Sequence, residues 1–507
     1  MSQTINNGAD LEIKRLVVVS NRLPIVLTKG PKGEWLVKRG SGGLVTALAP
    51  VLRDRGGLWI GWTGKEGRAD FLEPSDSGTK QIGYNLKQVI LNEDDINHYY
   101  YGFSNEVLWP LFHDMLSKCD FNPEFWRAYR RVNKKFAKVI WRNTKKDDYI
   151  WVHDYHLMLV ATELKRLDMK CRVGFFLHIP FPQLDIFLKL PWRFQILRGL
   201  LEYDLIGFQT VRDRSNFIQC VRSLIRGARV EGRGQVCKLS MPERQIRVGN
   251  FPISIDYDAF ASQSATKEVA DEAWYIHENL PNRKIILGID RLDYTKGIVL
   301  RLKAFRNALE RYPELRGKVT LVQVVVPSRE GIHDYMDIKM EIERLVGEIN
   351  GRFTQSGWVP IYYLHRSLMR RELLAYYRTA EIALITPLKD GMNLVSKEYC
   401  ACSLDENSVV ILSEFAGAAP QLYRGAILVN PYDMEGVADA IYQAFIIDKD
   451  ERKSRMRKLR RSIQKYNIFW WVDSFLNAAI TKSLDSFPAL DYYMPHVEIG
   501  DEFGKLA

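Results

Sequence analysis

An α/β fold built from two doubly wound parallel sheets is predicted by three features of this 507-residue chain. Short β-branched runs alternate with stretches of helical period, the alternation breaks once and then restarts, and the length accommodates two large domains at about 150 residues or more each.

The first series of runs is LVVVSN at 16–21, GLWIGW at 57–62, YIWV at 149–152, RVGFFLH at 172–178, DLIGF at 204–208 and IRVGNF at 246–251. Such short, nearly unbroken apolar runs suit strands covered on both faces. Among the later ones, RSNFIQCVRSLIRGARV places Phe217, Val221, Leu224 and Ile225 at helical spacing. After the soft region PISIDYDAFASQSATKEVADEA comes the second series: KIILGID at 284–290, VTLVQVVV at 319–326, PIYYL at 360–364, IALITP at 382–387, VVILSE at 409–414 and AILVNP at 426–431. The boundary is therefore expected between Ile253 and Asp258, with αβα domains over residues 1–254 and 255–465 facing one another across a cleft. NIFWWVDSFLNAAITKSL, within residues 466–484, is apolar enough to dock as a helix on the first domain, and residues 485–507 read as a loosely attached tail.

Apolar residues at 46% and charged residues at 26% describe a water-soluble globular protein and exclude disorder and collagen-like repetition. The 72 Lys and Arg against 61 Asp and Glu leave +11, a balance that suits either a nucleic-acid surface or anionic small molecules. In the densest basic run, ERKSRMRKLRRSIQK, Met456, Leu459 and Ile463 fall at helical spacing, so a solvated amphipathic helix accounts for it. No zinc-finger or RNP-type motif accompanies that run. No stretch of about 18 uncharged apolar residues occurs and the first residues lack a secretory core, so neither a membrane nor secretion by that route is expected. Six cysteines without CxxC spacing fit a reducing cytoplasm.

Four segments carry candidate chemistry. VVVSNRLPI ends a strand at Asn21 and Arg22, and in the following GSGGLVTAL Gly42 and Gly43 precede a helical run whose N–H groups suit an anion, or form an ordinary turn. GIDRLDYTKG projects Arg291 and Lys296 from a strand's carboxyl end, where open α/β sheets bind ligands. Two cations there suit a diphosphate, and ion pairs of Asp290 with Arg291 or of Asp293 with Lys296 are the structural alternative. ITPLKDGMNLVSKEYC turns at Asp390 and Gly391 and starts a helix at Asn393, with Glu398 on its second turn placed to accept from ribose hydroxyls or simply exposed. IWVHDYHLMLV and FFLHIPFP supply His153, His156 and His178, whose spacing does not match a helical zinc pair, so Asp154 and His178 are read as partners of sugar hydroxyls. The paired aspartates Asp256 and Asp258 fall at the domain boundary, and Cys400 and Cys402 read as buried thiols.

Taken together and in order, SNRLPI, SGGLVTAL, YYYGFSNEVLWPLFH, WVHDYHLMLV, GFFLHIPFP, IGFQT, DRLDYTKGI, VPSR, INGRF, DGMNLVSKEY, ILSEFAGAA and ILVNPYD make the chain resemble the trehalose-6-phosphate synthase family of retaining glycosyltransferases from Leu16 to Phe475. The resemblance implies a GT-B architecture of two Rossmann-like domains, the acceptor mainly on the first and the nucleotide sugar mainly on the second, with no metal and no cofactor. Carried over by position, Arg22 and Arg329 would hold the acceptor phosphate, with Tyr100, Trp109 and Asp154 shaping that pocket. Gly43, His178, Arg291, Lys296, Asp390, Gly391, Met392, Asn393, Leu394, Val395 and Glu398 would bind the donor, and Arg291, Lys296, Asp154 and His178 form the catalytic set.

The implied reaction moves glucose from a nucleoside-diphosphate glucose, UDP-glucose first, to glucose 6-phosphate with retention. PISID in place of PIGID, YYYGF, and an LPWR shared with glucosylglycerol-phosphate synthases keep glycerol 3-phosphate as an alternative acceptor. A basic, non-catalytic binding protein on the same fold is the remoter alternative. Expected partners are the two sugar substrates, without nucleic acid or membrane, and self-association into a homo-oligomer is left open. No room is expected after the match for the phosphatase domain fused to some relatives.

Overall fold

The computed structural model describes residues 14–29, 35–40, 43–67, 83–280, 283–328, 333–481, 483–490 and 493. The strands in chain order are β1 (Arg15–Arg22), β2 (Ile25–Lys29), β3 (Trp35–Arg39), β4 (Leu58–Trp62), β5 (Asn85–Gln88), β6 (Asp148–His153), β7 (Arg172–Phe176), β8 (Leu205–Phe208), β9 (Arg229–Glu231), β10 (Val236–Ser240) and β11 (Gln245–Asn250). They continue with β12 (Lys284–Arg291), β13 (Val319–Val326), β14 (Ile361–Leu364), β15 (Ile382–Ile385), β16 (Val409–Ser413) and β17 (Ile427–Val429).

A sheet of order β5-β4-β1-β6-β7-β8-β11-β10-β9 holds the first series, and β14-β13-β12-β15-β16-β17 holds the second. β1 pairs in parallel with both β4 and β6, and its Val17, Val18 and Val19 are fully buried, which explains their unbroken apolar run. From β1 the chain builds outward to β5 and then returns to the other side with β6. β12 sits in the same position in its sheet, with β13 on one side and β15 on the other. Each reversal opens a crevice at the carboxyl ends of the strands, and these two crevices receive the residues discussed below.

Several elements have no periodic signal. The β2–β3 hairpin, the edge strands β5 and β9 and the neighbouring β10 are short, and Ile96–Leu108 winds as a π-helix. The soft region folds into two helices, Tyr257–Ser264 and Lys267–Glu278; Asp256 caps the first by accepting from Ala259 N at 3.1 Å. Asp256 is thus the helix cap, while Asp258 is exposed.

The Ile468–Ile480 helix lies against the first sheet. Trp471 and Phe475 stack on Trp151 with ring centroids 4.8 and 4.3 Å away, and Trp471 Nε1 donates to Phe251 O at 3.1 Å. Gly207 makes this possible, since a Cβ there would stand 2.8 Å from the Phe475 ring. Of the tail, residues 485–490 and 493 are described, and they include one fixed point. Phe487 is buried and its carbonyl accepts from Gln235 N at 3.0 Å, so one apolar anchor and one backbone bond replace an extended pattern. All six cysteines are free thiols, and no helix among the described residues is long and apolar enough to cross a membrane.

Candidate active site

β1 delivers Arg22 to the mouth of the first crevice. Its guanidinium lies 4.2 Å from the Trp62 ring centroid and 5.4 Å from that of Tyr100, a stacked cation held in place with its forked donors available. Gly64, at φ +91°, leaves the space for it, because a Cβ there would fall 1.4 Å from Arg22 Nη1. Tyr99 OH donates to Asn21 Oδ1 at 2.9 Å and fixes the π-helix to the end of β1. Tyr100 then stacks on His156 with centroids 6.1 Å apart, and buried Trp109 continues the aromatic wall.

Asp154 follows β6 at φ +76°, a conformation costly for a residue with a Cβ and concentrated at functional sites. Its N–H donates to Phe176 O at 2.8 Å and its carboxylate accepts from His178 N at 3.2 Å, which ties the ends of β6 and β7 together. His178 Nε2 lies 3.1 Å from His153 Nδ1, and its Nδ1 lies 3.3 Å from Met392 Sδ across the cleft. Burial lowers His178 to about 3. Burial, then repulsion from His178, holds His153 well below the ordinary range, so the pair is neutral and shares one N–H.

On the second sheet, β12 ends at Arg291, whose guanidinium lies 5.8 Å from the Trp109 centroid and whose ion pair with Asp293 is long, at 3.9 Å. Lys296 Nζ meets Asp390 Oδ2 at 2.6 Å. Burial alone would push the Asp390 carboxyl up, but the charge and hydrogen bond of Lys296 outweigh it and hold the group below the usual range. Asp390 also accepts from Met392 N at 3.2 Å and Asn393 Nδ2 at 3.3 Å. Asn393, at φ +58°, caps the Leu394–Cys402 helix by accepting from Ser396 N at 3.1 Å. A Cβ on Gly391 would stand 2.1 Å from His178 O, so glycine permits the two domains to touch here. Glu398 accepts from Tyr377 OH at 2.9 Å, and burial raises its carboxyl.

Both ion pairs differ from the sequence alternatives. Asp290 pairs with buried Arg301 at 2.7 Å instead of Arg291, and Lys296 pairs with Asp390 instead of Asp293. Arg301 further donates to Thr386 Oγ1 at 3.0 Å and Lys296 O at 3.3 Å, and so joins β12, β15 and the Lys296 turn from below.

Arg22, Tyr100, Trp109, Asp154 and His178 thus collect at one sheet's edge, and Arg291, Lys296, Asp390 to Val395 and Glu398 at the other. They meet through Arg291 beside Trp109 and Met392 beside His178. Gly43 opens the Gly43–Arg55 helix; Gly42 and Arg329 lie outside the described residues. His153 and His178 face each other while His156 stacks on Tyr100, and among the described residues no three His, Cys, Asp or Glu side chains gather as a metal site. Sequence reasoning missed Trp62, Gly64 and Arg301. The glycine has no periodic signal, and the arginine is indistinguishable from any helix cation until its burial is seen.

The Glycosyltransferase family 20 model matches residues 14–480. Trehalose-6-phosphate synthase of Mycobacterium avium is 44% identical over 91% of this chain and 94% of its own. That of Mycolicibacterium smegmatis is 42% identical over 94% of this chain and 93% of its own. Among solved structures, an alpha,alpha-trehalose-phosphate synthase (UDP-forming) from Burkholderia xenovorans in complex with glucose-6-phosphate has a TM-score of 0.84 at 35% identity, covering 92% of this chain and 99% of that one. A structure of trehalose-6-phosphate from E. coli bound with UDP-2-fluoro glucose has a TM-score of 0.82 at 37% identity, covering 92% and 98%.

Proposed function

Because the chain belongs to glycosyltransferase family 20, we propose that it moves glucose from UDP-glucose to glucose 6-phosphate with retention, forming α,α-trehalose 6-phosphate on a GT-B fold. The observation that carries this reading is that both sheets bring cations to one cleft. Arg22 is stacked on aromatic rings at the first sheet, and Arg291 with the Lys296–Asp390 pair stands at the second.

Residues 1–254 present the acceptor and residues 255–465 the donor. Arg22, joined by Arg329, forks onto the acceptor phosphate; Tyr100 and Trp109 wall the sugar, and Asp154 accepts from its hydroxyls. The donor diphosphate lies on Gly43, Arg291, Lys296 and the N–H groups from Gly391 to Val395, with Glu398 on the ribose. Neutral His178 presents a hydrogen bond to the transferred sugar without adding charge. As the bond from glucose C1 to the phosphate oxygen breaks, Arg291 and Lys296 stabilise the charge that develops on that oxygen. The acceptor hydroxyl adds to C1 from the same face and gives its proton to the departing phosphate oxygen, which preserves configuration.

Glycerol 3-phosphate as acceptor and a non-catalytic basic binder find no support among the relatives, which are named as trehalose-6-phosphate synthases. The free thiols suit a reducing compartment, and we place the enzyme in the cytoplasm. The test offers UDP-, GDP- and ADP-glucose with glucose 6-phosphate, glycerol 3-phosphate or glucose to the purified chain, and follows diphosphate release and the product's anomeric configuration. UDP release with glucose 6-phosphate and an α,α product is expected. A preference for glycerol 3-phosphate, or no turnover with any pair, overturns the reading.

A further inference from the structure

A cavity of about 360 Å³ lies at the domain boundary, lined by none of the residues assigned above to the cleft. We propose that it is a second ligand site, built for a small phosphate monoester.

The first observation is a set of unmet hydrogen bonds. Gln209, just past β8, and Asn250, the last residue of β11, line the cavity and are 1% and 3% exposed. Gln209 Oε1 accepts from Ile253 N at 2.9 Å, but among the described residues Nε2 has no partner, and neither has Asn250 Oδ1. An orphaned buried donor and acceptor are both costly, and a polar occupant relieves both.

The second is charge. Lys458, Arg461 and Lys465 line the same cavity from the Lys449–Lys465 helix, at the spacing of one helix face. On that helix Arg455 is paired with Glu451 and Arg457 with Glu406, whereas Lys458, Arg461 and Lys465 form no ion pair among the described residues. The basic run that reads as a solvated face therefore divides. Met456, Leu459 and Ile463 are buried, and three cations line the cavity without an ion pair among the described residues. Their combined charge suits a dianion.

Size sets the rest of the ligand. The volume is at the small end for metabolite sites, enough for a phosphate on a short polar body and too small for a nucleotide sugar. Tyr423 supplies an aromatic wall.

Position gives the site its interest. Gln421, also in the wall, accepts from Lys397 Nζ, and the same ammonium donates to Ile253 O at 2.6 Å where the chain crosses between domains. Lys397 is fully buried and adjoins Glu398 on the Leu394–Cys402 helix. An occupant would thus touch both domains and the hydrogen-bonded chain that joins the boundary segment to the helix carrying Glu398.

Glycerol 2-phosphate and inorganic phosphate are the probes, titrated by calorimetry into the full chain carrying Arg22→Ala and Arg291→Ala, so that phosphate binding in the cleft is weakened first. Saturable binding in the range of about 0.1 to 10 mM is expected in that background. Adding Lys458→Glu and Arg461→Glu should weaken it by about tenfold or more, while Lys453→Glu, on the same helix outside the cavity, should leave it unchanged. Melting temperatures of all variants establish that they fold. No saturable binding of either probe below about 10 mM, or binding indifferent to the charge reversal, overturns the proposal.

Discussion

Lys296 Nζ and Asp390 Oδ2, 94 residues apart in sequence, lie 2.6 Å from each other with both side chains nearly buried at the edge of the second sheet. The carboxylate fixes the ammonium at one point, and Arg291, at the end of β12, makes a long ion pair with Asp293 at 3.9 Å and lies beside the Trp109 ring. Such a preorganised pair of cations is what a departing diphosphate needs.

Lys296→Met or Arg291→Ala is expected to lower kcat by about 10²-fold or more, the scale of a lost transition-state charge contact. Exhaustive treatment with EDTA should leave wild-type turnover intact. Loss of activity on chelation, restored by magnesium or manganese, would show that a metal does the work assigned to these side chains.

Glu398→Gln keeps the shape of the side chain but removes its charge. The donor KM should rise by about one to two factors of ten, as for a charge-assisted hydrogen bond worth roughly 1.5 to 3 kcal/mol, with the acceptor KM unchanged. Burial raises the Glu398 carboxyl, so the wild-type donor KM should begin to climb with falling pH earlier than for an ordinary glutamate. An effect on the acceptor term alone would place Glu398 on the wrong substrate.

Gly64→Ala is aimed at Arg22 without touching its charge. A methyl group at φ +91° and 1.4 Å from Nη1 must displace the guanidinium from the Trp62 face. The KM for glucose 6-phosphate should rise by about tenfold or more while the donor KM holds. Wild-type kcat/KM for glucose 6-phosphate should exceed that for glycerol 3-phosphate by at least about 10², because the smaller acceptor leaves polar walls unpaired. Equal efficiency with the two acceptors would contradict this account of the pocket.

The His153–His178 pair predicts an acid limb in stability. Burial keeps His178 neutral down to about 3 and His153 likewise well below its ordinary value, whereas the unfolded chain protonates both below about 6.5. The unfolded state then binds more protons. Stability present above about pH 6.5 should fall as pH drops, by about 1.4 kcal/mol per pH unit for each histidine. Denaturant titrations of His178→Gln between about pH 6 and pH 4 should show a shallower slope by about that amount. A slope identical to wild type would mean that the histidine is protonated in the folded protein.

Strand content, the restart of the sheet and the location of polar residues at strand ends were legible in the chain. A central parallel strand is covered on both faces, so Val17 to Val19 and Ile285 to Leu287 must be apolar without interruption, and polarity returns toward the carboxyl end of the strand, from Ser20 to Arg22 and at Asp290 and Arg291. Several of the family motifs add specificity because they fall at such ends, among them SNRLPI and DRLDYTKGI. Charge pairing was not legible: Asp290 adjoins Arg291 in sequence yet bonds Arg301, because neighbouring strand residues point to opposite faces while a helix behind the sheet brings Arg301 underneath. The same holds for Gly64 under Arg22, for Gly391 against His178, and for the Phe487 anchor. Each depends on the distance between segments remote in sequence, which periodicity does not encode and packing alone decides.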